Sequence, residues 1–450
     1  MIHSSLTRSV QRLQASARIP ALTVALRRND RPLWTAEVGV SGTDRPLDAA
    51  TRLRIGSVTK TFTAVLVLQA RDAGLLDLDD PIGAHLSVPK HGELTLRRLL
   101  SHTAGLQREP FGDVWDTLQV PSAEQFLDDV AHAEALHPQS RRFHYSNLAY
   151  ALLGEAVARR AKTPWAELVA ERITGLLGLT ATGPDRDDVS AVGYLVDPYS
   201  DHARPEPPTD FGAFGPAAQL WSTASDMATW AAFLADPASV DPDGRVLPAA
   251  TLDEMRWPHT VRDGEEWISG IGLGLMVYPR PGRVLHVGHN GAMPGFLAAV
   301  YGRSGGEGNP GGVGVAVLAS AGTADEIFPF THGLIDQALA DDPMEIQPWL
   351  PGEPAPERYR TVLGRWWGEG FEHIFRWESG RLVARDAGAP AQAPPAVFEP
   401  TGNPDVLRTV SGREVGELLR LHRDAEGVVT RMHWATYRFT RAQETFDGRP

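Results

Sequence analysis

Strand patterns and helix patterns are segregated along this chain, and that segregation constrains its fold more than any other feature. Residues 21–26 and 33–40 alternate as two strands across a turn at Arg28-Asn29-Asp30-Arg31. The same period returns only after residue 273, in runs 273–278, 284–289, 296–301 and 313–319. Between them lie helical patterns: one opening at Ser57 and closing at Gly74, then 95–100, 148–161, 167–176 and one from Ser222 to about 234. Further helices are expected at 6–18 and 325–340. The simplest architecture is α+β: both ends join in one antiparallel sheet, with helices packed on it and a helical lobe between.

A proline-rich stretch at 346–357 ends this region. The expected division is a first domain over 1–345, a linker over 346–357 and a small all-β domain over 358–450, with strands at 371–377, 381–385, 417–422 and 428–434. Trp366 and Trp367 read as core of that barrel. From Ile346 onward there are 14 basic and 14 acidic residues, so the whole formal charge of −13 belongs to the first region. That charge argues against nucleic acid or an anionic membrane as partner. There is no cysteine, which excludes disulfides and thiolate chemistry. No His-Glu-x-x-His occurs, and no cofactor or metal is expected. Nothing at the amino terminus reads as a signal peptide and no apolar run is long enough to span a membrane. The expected location is cytoplasmic.

Ser57-Val58-Thr59-Lys60 opens the first helix of the lobe. Positions three apart share a helix face, so the serine hydroxyl and the lysine amine can meet. A serine needs a base to become a nucleophile. The chain has only three lysines, at 60, 90 and 162, among 43 basic residues. Arginine cannot give up its proton, so a lysine here is a chemical choice. The structural alternative is a helix start with a solvated lysine. Tyr145-Ser146-Asn147 stands before the helix at 148–161. Tyr145 suits a phenolic base or proton relay, and Asn147 suits a substrate amide or the orientation of Lys60. Its alternative is a helix cap with a packed tyrosine. His289-Asn290-Gly291-Ala292 lies at the end of a strand, where Gly291 would let a substrate approach the backbone and a strand N–H would serve an oxyanion hole. Its alternative is a glycine-rich turn.

Together the three motifs stand in the order and spacing of the class C β-lactamase and penicillin-binding-protein-like serine hydrolases. Leu78-Asp79-Asp80-Pro81, Leu99-Leu100-Ser101-His102-Thr103-Ala104-Gly105-Leu106 and Ser222-Thr223-Ala224-Ser225-Asp226 also resemble that family. The resemblance covers about residues 5–340 and implies a β-lactamase/transpeptidase-like domain. It implies that Ser57 is acylated and that Lys60 and Tyr145 share the proton transfers. Asn147 and His289 would contact substrate or tune the proton network, and the N–H groups of Ser57 and Ala292 would form the oxyanion hole. Asn290 and Gly291 would line the substrate. The β-lactamases proper carry Lys-Thr-Gly where this chain has His289-Asn290-Gly291, which points to the esterase and D-aminopeptidase branches rather than to antibiotic hydrolysis.

Three functional readings follow. One is an esterase or peptidase acting on small esters, D-amino-acyl amides or peptidyl substrates. Another is a stand-alone thioesterase that macrocyclises nonribosomal peptides, taking a carrier-protein-bound peptide. Such enzymes resemble this chain in their three motifs and in a lipocalin-like C-terminal domain. The third is an inactive binding protein on the same fold. Gly302-Arg303-Ser304-Gly305-Gly306 also fits G-x-S-x-G, but a strand rather than a helix follows, so Ser304 is expected in a hairpin loop. His102 and His144 are expected to pack beside the site, and residues 107–140, with Phe111 and Trp115, to form a lid or substrate wall.

Overall fold

The computed structural model describes residues 2–42, 45–110, 114–262, 264, 266–306, 309–345, 348–390 and 393–444. The chain divides into two compact units, Met1–Met344 and Glu345–Pro450.

In the first unit, helix α1 (Ile2–Ser16) leads into β1 (Ala21–Arg28) and β2 (Arg31–Gly39). The remaining strands of the main sheet are β3 (Thr260–Val261), β4 (Gly270–Ile271), β5 (Met276–Arg280), β6 (Val284–Met293), β7 (Phe296–Ser304) and β8 (Val313–Ala319). They form one antiparallel sheet in the order β2-β1-β8-β7-β6-β5-β4-β3. The join between the two ends of the region is the β1–β8 pair, with Val24 opposite Val317. Alternation sends successive side chains to opposite faces. Leu22, Val24 and Val315 pack with Leu6, Val10 and Leu13 of α1 on one face, while Ala25, Val300 and Ala316 pack toward the helical lobe on the other.

The lobe is built around α2 (Thr59–Asp72), buried at every position from Thr59 to Leu68. A helix apolar on all sides belongs in a core. Its three threonines are tolerated there because each hydroxyl has partners. Thr59 Oγ1 accepts from the Leu220 amide at 3.1 Å. Thr61 Oγ1 donates to Val58 O and accepts from Trp230 Nε1, and Thr63 Oγ1 donates to Pro216 O and accepts from Trp165 Nε1. Phe62 stacks on Trp230, with ring centroids 4.0 Å apart. Two further helices, α3 (Asn147–Ala161) and α4 (Ala224–Ala235), start at Ser146 and Thr223, whose side chains cap them.

The structure departs from the sequence expectation in several places. Ser57 sits in a 3₁₀ turn, Gly56–Val58, immediately before α2. The segment 183–212, whose proline, aspartate and glycine content reads as a long loop, contains a small hairpin, Tyr194–Val196 with Ala203–Pro205. The turn between β5 and β6 starts at Pro281, because Pro279 and Arg280 remain paired in β5. β6 continues through His289-Asn290-Gly291 to Met293, so this motif is inside a strand and the turn falls at Pro294-Gly295. Residues 107–140 hold two short helices, Val114–Thr117 and Ala123–Asp129. Phe111 lies outside the described residues, as do Ile346 and Gln347 of the linker.

The second unit is a closed antiparallel barrel of eight strands, in chain order around the ring. Four of them begin at Gly364, Ala396, Val406 and Tyr437; the first three are bounded by glycine, proline or asparagine and the last is only four residues long, which hid them in the sequence. Trp366 is fully buried, but Trp367 is only half-buried, since neighbours on a strand face opposite ways. Ring stacking fills the interior, as between Phe375 and Phe398 at 5.9 Å.

Candidate active site

The site forms where α2, the start of α3 and the end of β6 converge. The approach to Ser57 is fixed by a two-residue ladder, Leu53 opposite Ser222 and Arg54 opposite Trp221, and by the Ile55 amide donating to Leu220 O at 3.0 Å. Gly56 then turns with φ of +51°, and a Cβ there would stand 2.8 Å from the Ala292 nitrogen. Only glycine allows both the left-handed backbone and this contact. The Ser57 turn is thereby pressed against β6 beside Ala292, the pair expected to supply the oxyanion hole. Gly291 lines the cleft over Ser57 and has a packing task as well. A Cβ there would lie 2.0 Å from Ile55 O, so its missing side chain admits the chain's own backbone.

Lys60 is fully buried, and its Nζ has three partners: Ser57 Oγ at 3.1 Å, Asn147 Oδ1 at 2.6 Å and Ala217 O at 2.8 Å. Asn147 Oδ1 and Ala217 O can only accept. A neutral amine has two hydrogens and one lone pair. Its hydrogens satisfy those two acceptors and the lone pair is left facing the Ser57 hydroxyl. Burial pushes the Lys60 amine well below its ordinary value, with Arg108 acting in the same sense and Glu109 opposing. Geometry and desolvation therefore both favour a base at Ser57.

Tyr145 is half-buried and lines the same cleft as Ser57, with its phenol hydroxyl interacting with the serine. Its ring is stacked on His102 at 4.4 Å, with Lys60 Nζ at 4.9 Å and Arg108 at 5.0 Å from its centroid. Burial raises the phenol above its ordinary value, so Tyr145 is held as a neutral hydroxyl rather than a standing phenolate. His102 is buried and accepts from the Ser146 amide on Nδ1 at 3.1 Å, which fixes the ring under Tyr145. His144 is half-buried, edge-on to His137 at 5.3 Å.

His289 is buried with its ring centroid 6.1 Å from that of Tyr145. Burial first, and Lys60 second, depress it to about 3, so it is neutral near pH 7. Asn290, on the opposite face of β6, accepts from Tyr301 OH at 2.9 Å and also lines the cleft. β5 pairs with β6 only as far as Gly288 opposite Met276. Among the described residues the edge of β6 from His289 to Met293 has no strand on that side, leaving its backbone groups available to a ligand.

A cleft of about 580 Å³ opens over Ser57. Its walls are largely apolar, with Phe143, Phe211, Phe214, Met276 and Phe328, and it carries Arg108, Glu109 and Arg262 as charged groups. Residues 108–110 and Val114 belong to this wall. Sequence reasoning missed Glu109: it sits in an irregular loop, far from the motifs in sequence, and no spacing marks it. Ser304 lies at the end of β7, its hydroxyl accepting from Arg256 at 3.2 Å, and does not line the cleft. No group of metal-ligating side chains occurs among the described residues, and no helix there is long and apolar enough to cross a membrane.

The beta-lactamase family model matches residues 6–340, and a domain of unknown function, DUF7586, matches residues 355–441. Penicillin-binding protein 4 of Amycolatopsis lactamdurans is 31% identical over 344 residues, covering 70% of this chain and 84% of that protein. The chain spans about half the length of the first curated relatives it matches, 46% in each case. A crystal structure of a D-stereospecific amidohydrolase from Streptomyces sp. is similar with a TM-score of 0.59 and 25% identity, over 75% of this chain and 98% of that one. The crystal structure of SurE shares the fold across 98% of this chain and 99% of that one, with a TM-score of 0.61 and 22% identity. The match over residues 6–340 takes in the whole sheet and the lobe that carries the Ser57 cleft, and the chain belongs to the beta-lactamase family.

Proposed function

We propose that this chain is a serine hydrolase or acyltransferase working through an acyl-enzyme on Ser57, with small esters, D-amino-acyl amides or peptidyl groups as substrates. The observation that carries the reading is the Lys60 amine, desolvated and with its two acceptors arranged to leave a lone pair at Ser57. Lys60 takes the Ser57 proton as Oγ bonds to the substrate carbonyl carbon. The oxyanion forms against the N–H groups of Ser57 and Ala292, each such donor typically contributing about 10²–10³ in rate. Tyr145 gives its proton to the departing amine or alkoxide as the scissile bond breaks and takes up the one held on Lys60, so that both groups return to their neutral forms. Water or an amine then attacks the ester carbonyl and Ser57 recovers its proton.

Amides of D-amino acids are the first class to examine, because of the similarity to the D-stereospecific amidohydrolase and because a cleft of this size with aromatic walls suits one apolar side chain. The experiment is a turnover screen of D- and L-amino-acyl p-nitroanilides and p-nitrophenyl esters, with Ser57→Ala as control. The expected result is Ser57-dependent release, faster for D than for L amides, with penicillin-type substrates poor. Equal rates in the Ser57→Ala variant would overturn the proposal.

A second reading is favoured by the closed eight-stranded barrel that follows the first unit, since stand-alone peptide-cyclising thioesterases carry a lipocalin-like domain there. Incubation with a peptidyl thioester separates the two by mass spectrometry. A cyclic product identifies an internal amine as acceptor, and a linear acid identifies water.

A further inference from the structure

The Asn147 side chain is gripped at both ends. Its Oδ1 accepts from Lys60 Nζ, and its Nδ2 donates to both oxygens of Glu109, at 2.8 and 3.0 Å. An amide whose NH₂ faces a carboxylate cannot turn over, because the flip would set two acceptors against each other. Glu109 is in turn tied to the motif it serves. The Asn147 amide donates to Arg108 O at 2.7 Å, Ser146 Oγ donates to Gln107 O at 2.7 Å, and Gln107 Nε2 donates to Glu109 O at 2.8 Å. The loop before the first short helix of the wall is thus stitched to the start of α3.

Charge runs along the same path. The groups that face Lys60 are Ser57 on its own turn, Tyr145 and Tyr150 with ring centroids 4.9 and 5.6 Å from Nζ, His102 and His289, and Arg108 and Glu109 from the wall. The tyrosines and histidines are held neutral by burial, and Arg108 repels a proton on Lys60. Among these groups Glu109 is the single anion. Arg108 Nε donates to Glu109 Oε1 at 3.2 Å, but that arginine is mostly exposed, so the pair does not cancel the carboxylate's effect on the buried side.

We propose that Glu109 is a positioning residue for the Ser57–Lys60 pair: its carboxylate locks the Asn147 amide with Oδ1 on Lys60, and its charge governs the proton on that amine. This rests on the reading of Lys60 as the base for Ser57. Desolvation alone disfavours the charged form of Lys60. The partly exposed anion returns part of the cost of the charged form, so that the amine exchanges its proton with Ser57 and the leaving group in both directions during a cycle.

The test is the pH dependence of the second-order rate of Ser57 labelling by a fluorophosphonate, on the full chain, for wild type, Glu109→Gln and Glu109→Asp. The acid limb of the profile reports loss of the Lys60 proton. In Glu109→Gln it is expected to move to lower pH by about one unit, the usual scale for losing a nearby opposite charge. Glu109→Asp keeps the charge but withdraws it by one methylene, and its limb is expected to fall between the two. A purely structural role would lower the labelling rate at every pH without moving the limb, and that result would overturn the proposal. If Glu109→Gln does not fold, Glu109→Asp decides alone: a limb displaced downward supports the proposal and an unmoved limb rejects it. Absence of Ser57 labelling in the wild type would reject the acyl-enzyme reading itself, a different failure.

Discussion

Lys60 Nζ donates to the backbone carbonyl of Ala217 at 2.8 Å, across from the Asn147 side chain. A backbone carbonyl cannot become a donor, so this contact helps decide which way the amine's lone pair points. It makes the identity of residue 60 more than a matter of positive charge. Lys60→Ala is expected to slow Ser57 acylation by about 10²–10⁴-fold, the range for a general base. Lys60→Arg is expected to be equally impaired, since a guanidinium keeps its charge but cannot accept the proton. Labelling kinetics on both variants check this. Recovery of activity in Lys60→Arg would show that the charge, not the base, matters.

Tyr145→Phe removes the phenol hydroxyl that interacts with Ser57 and leaves the stack on His102 intact. Loss of about 10²-fold or more in turnover is expected, with the thermal midpoint little changed. Steady-state kinetics beside a melting curve separate the chemical from the packing contribution.

Gly56→Ala places a methyl within 2.8 Å of the Ala292 nitrogen and 2.9 Å of its oxygen, on a backbone at φ +51°. The strained conformation alone costs about 1–3 kcal/mol. The turn must also separate from β6, so both the thermal midpoint and the labelling rate should fall. A stable variant with unchanged labelling would show that the Ser57 turn does not depend on β6.

Much of this arrangement was legible in the sequence. Ser57 and Lys60 announce themselves by helical spacing in a chain that otherwise uses arginine, and the strands at both ends of the first region do meet through Val24 and Val317. The barrel was legible as a class, but half its strands were not, because short runs between glycines and prolines lose their period. Gly288 and Gly291 made the end of β6 look like a turn. In the structure they are strand residues whose missing Cβ atoms admit Val300 O and Ile55 O. Glu109 could not be read at all. Its importance comes from a contact to Asn147, 38 positions away, made by a loop without regular pattern.

Acid should weaken the fold through the face of the sheet opposite the site. His286 Nδ1 lies 3.1 Å from His332 Nδ1, and burial first depresses the two to about 4 and about 3. In the unfolded chain both take up protons near pH 6.5. Between pH 6.5 and about 3 the unfolded state therefore binds more protons, and stability falls as pH falls through that window. His286→Leu is expected to lose less stability than wild type between pH 7 and pH 4, read by urea unfolding at each pH. An equal loss in both proteins would place the acid sensitivity elsewhere.

The central claim is that Ser57 is the residue that becomes acylated, and the most direct measurement is intact mass after fluorophosphonate treatment, followed by peptide mapping. One adduct is expected, on Ser57, absent in Ser57→Ala and unaffected by Ser304→Ala. An adduct on Ser304, or none on a folded wild-type protein, would contradict it; the second result would turn the family's fold here into a binding protein.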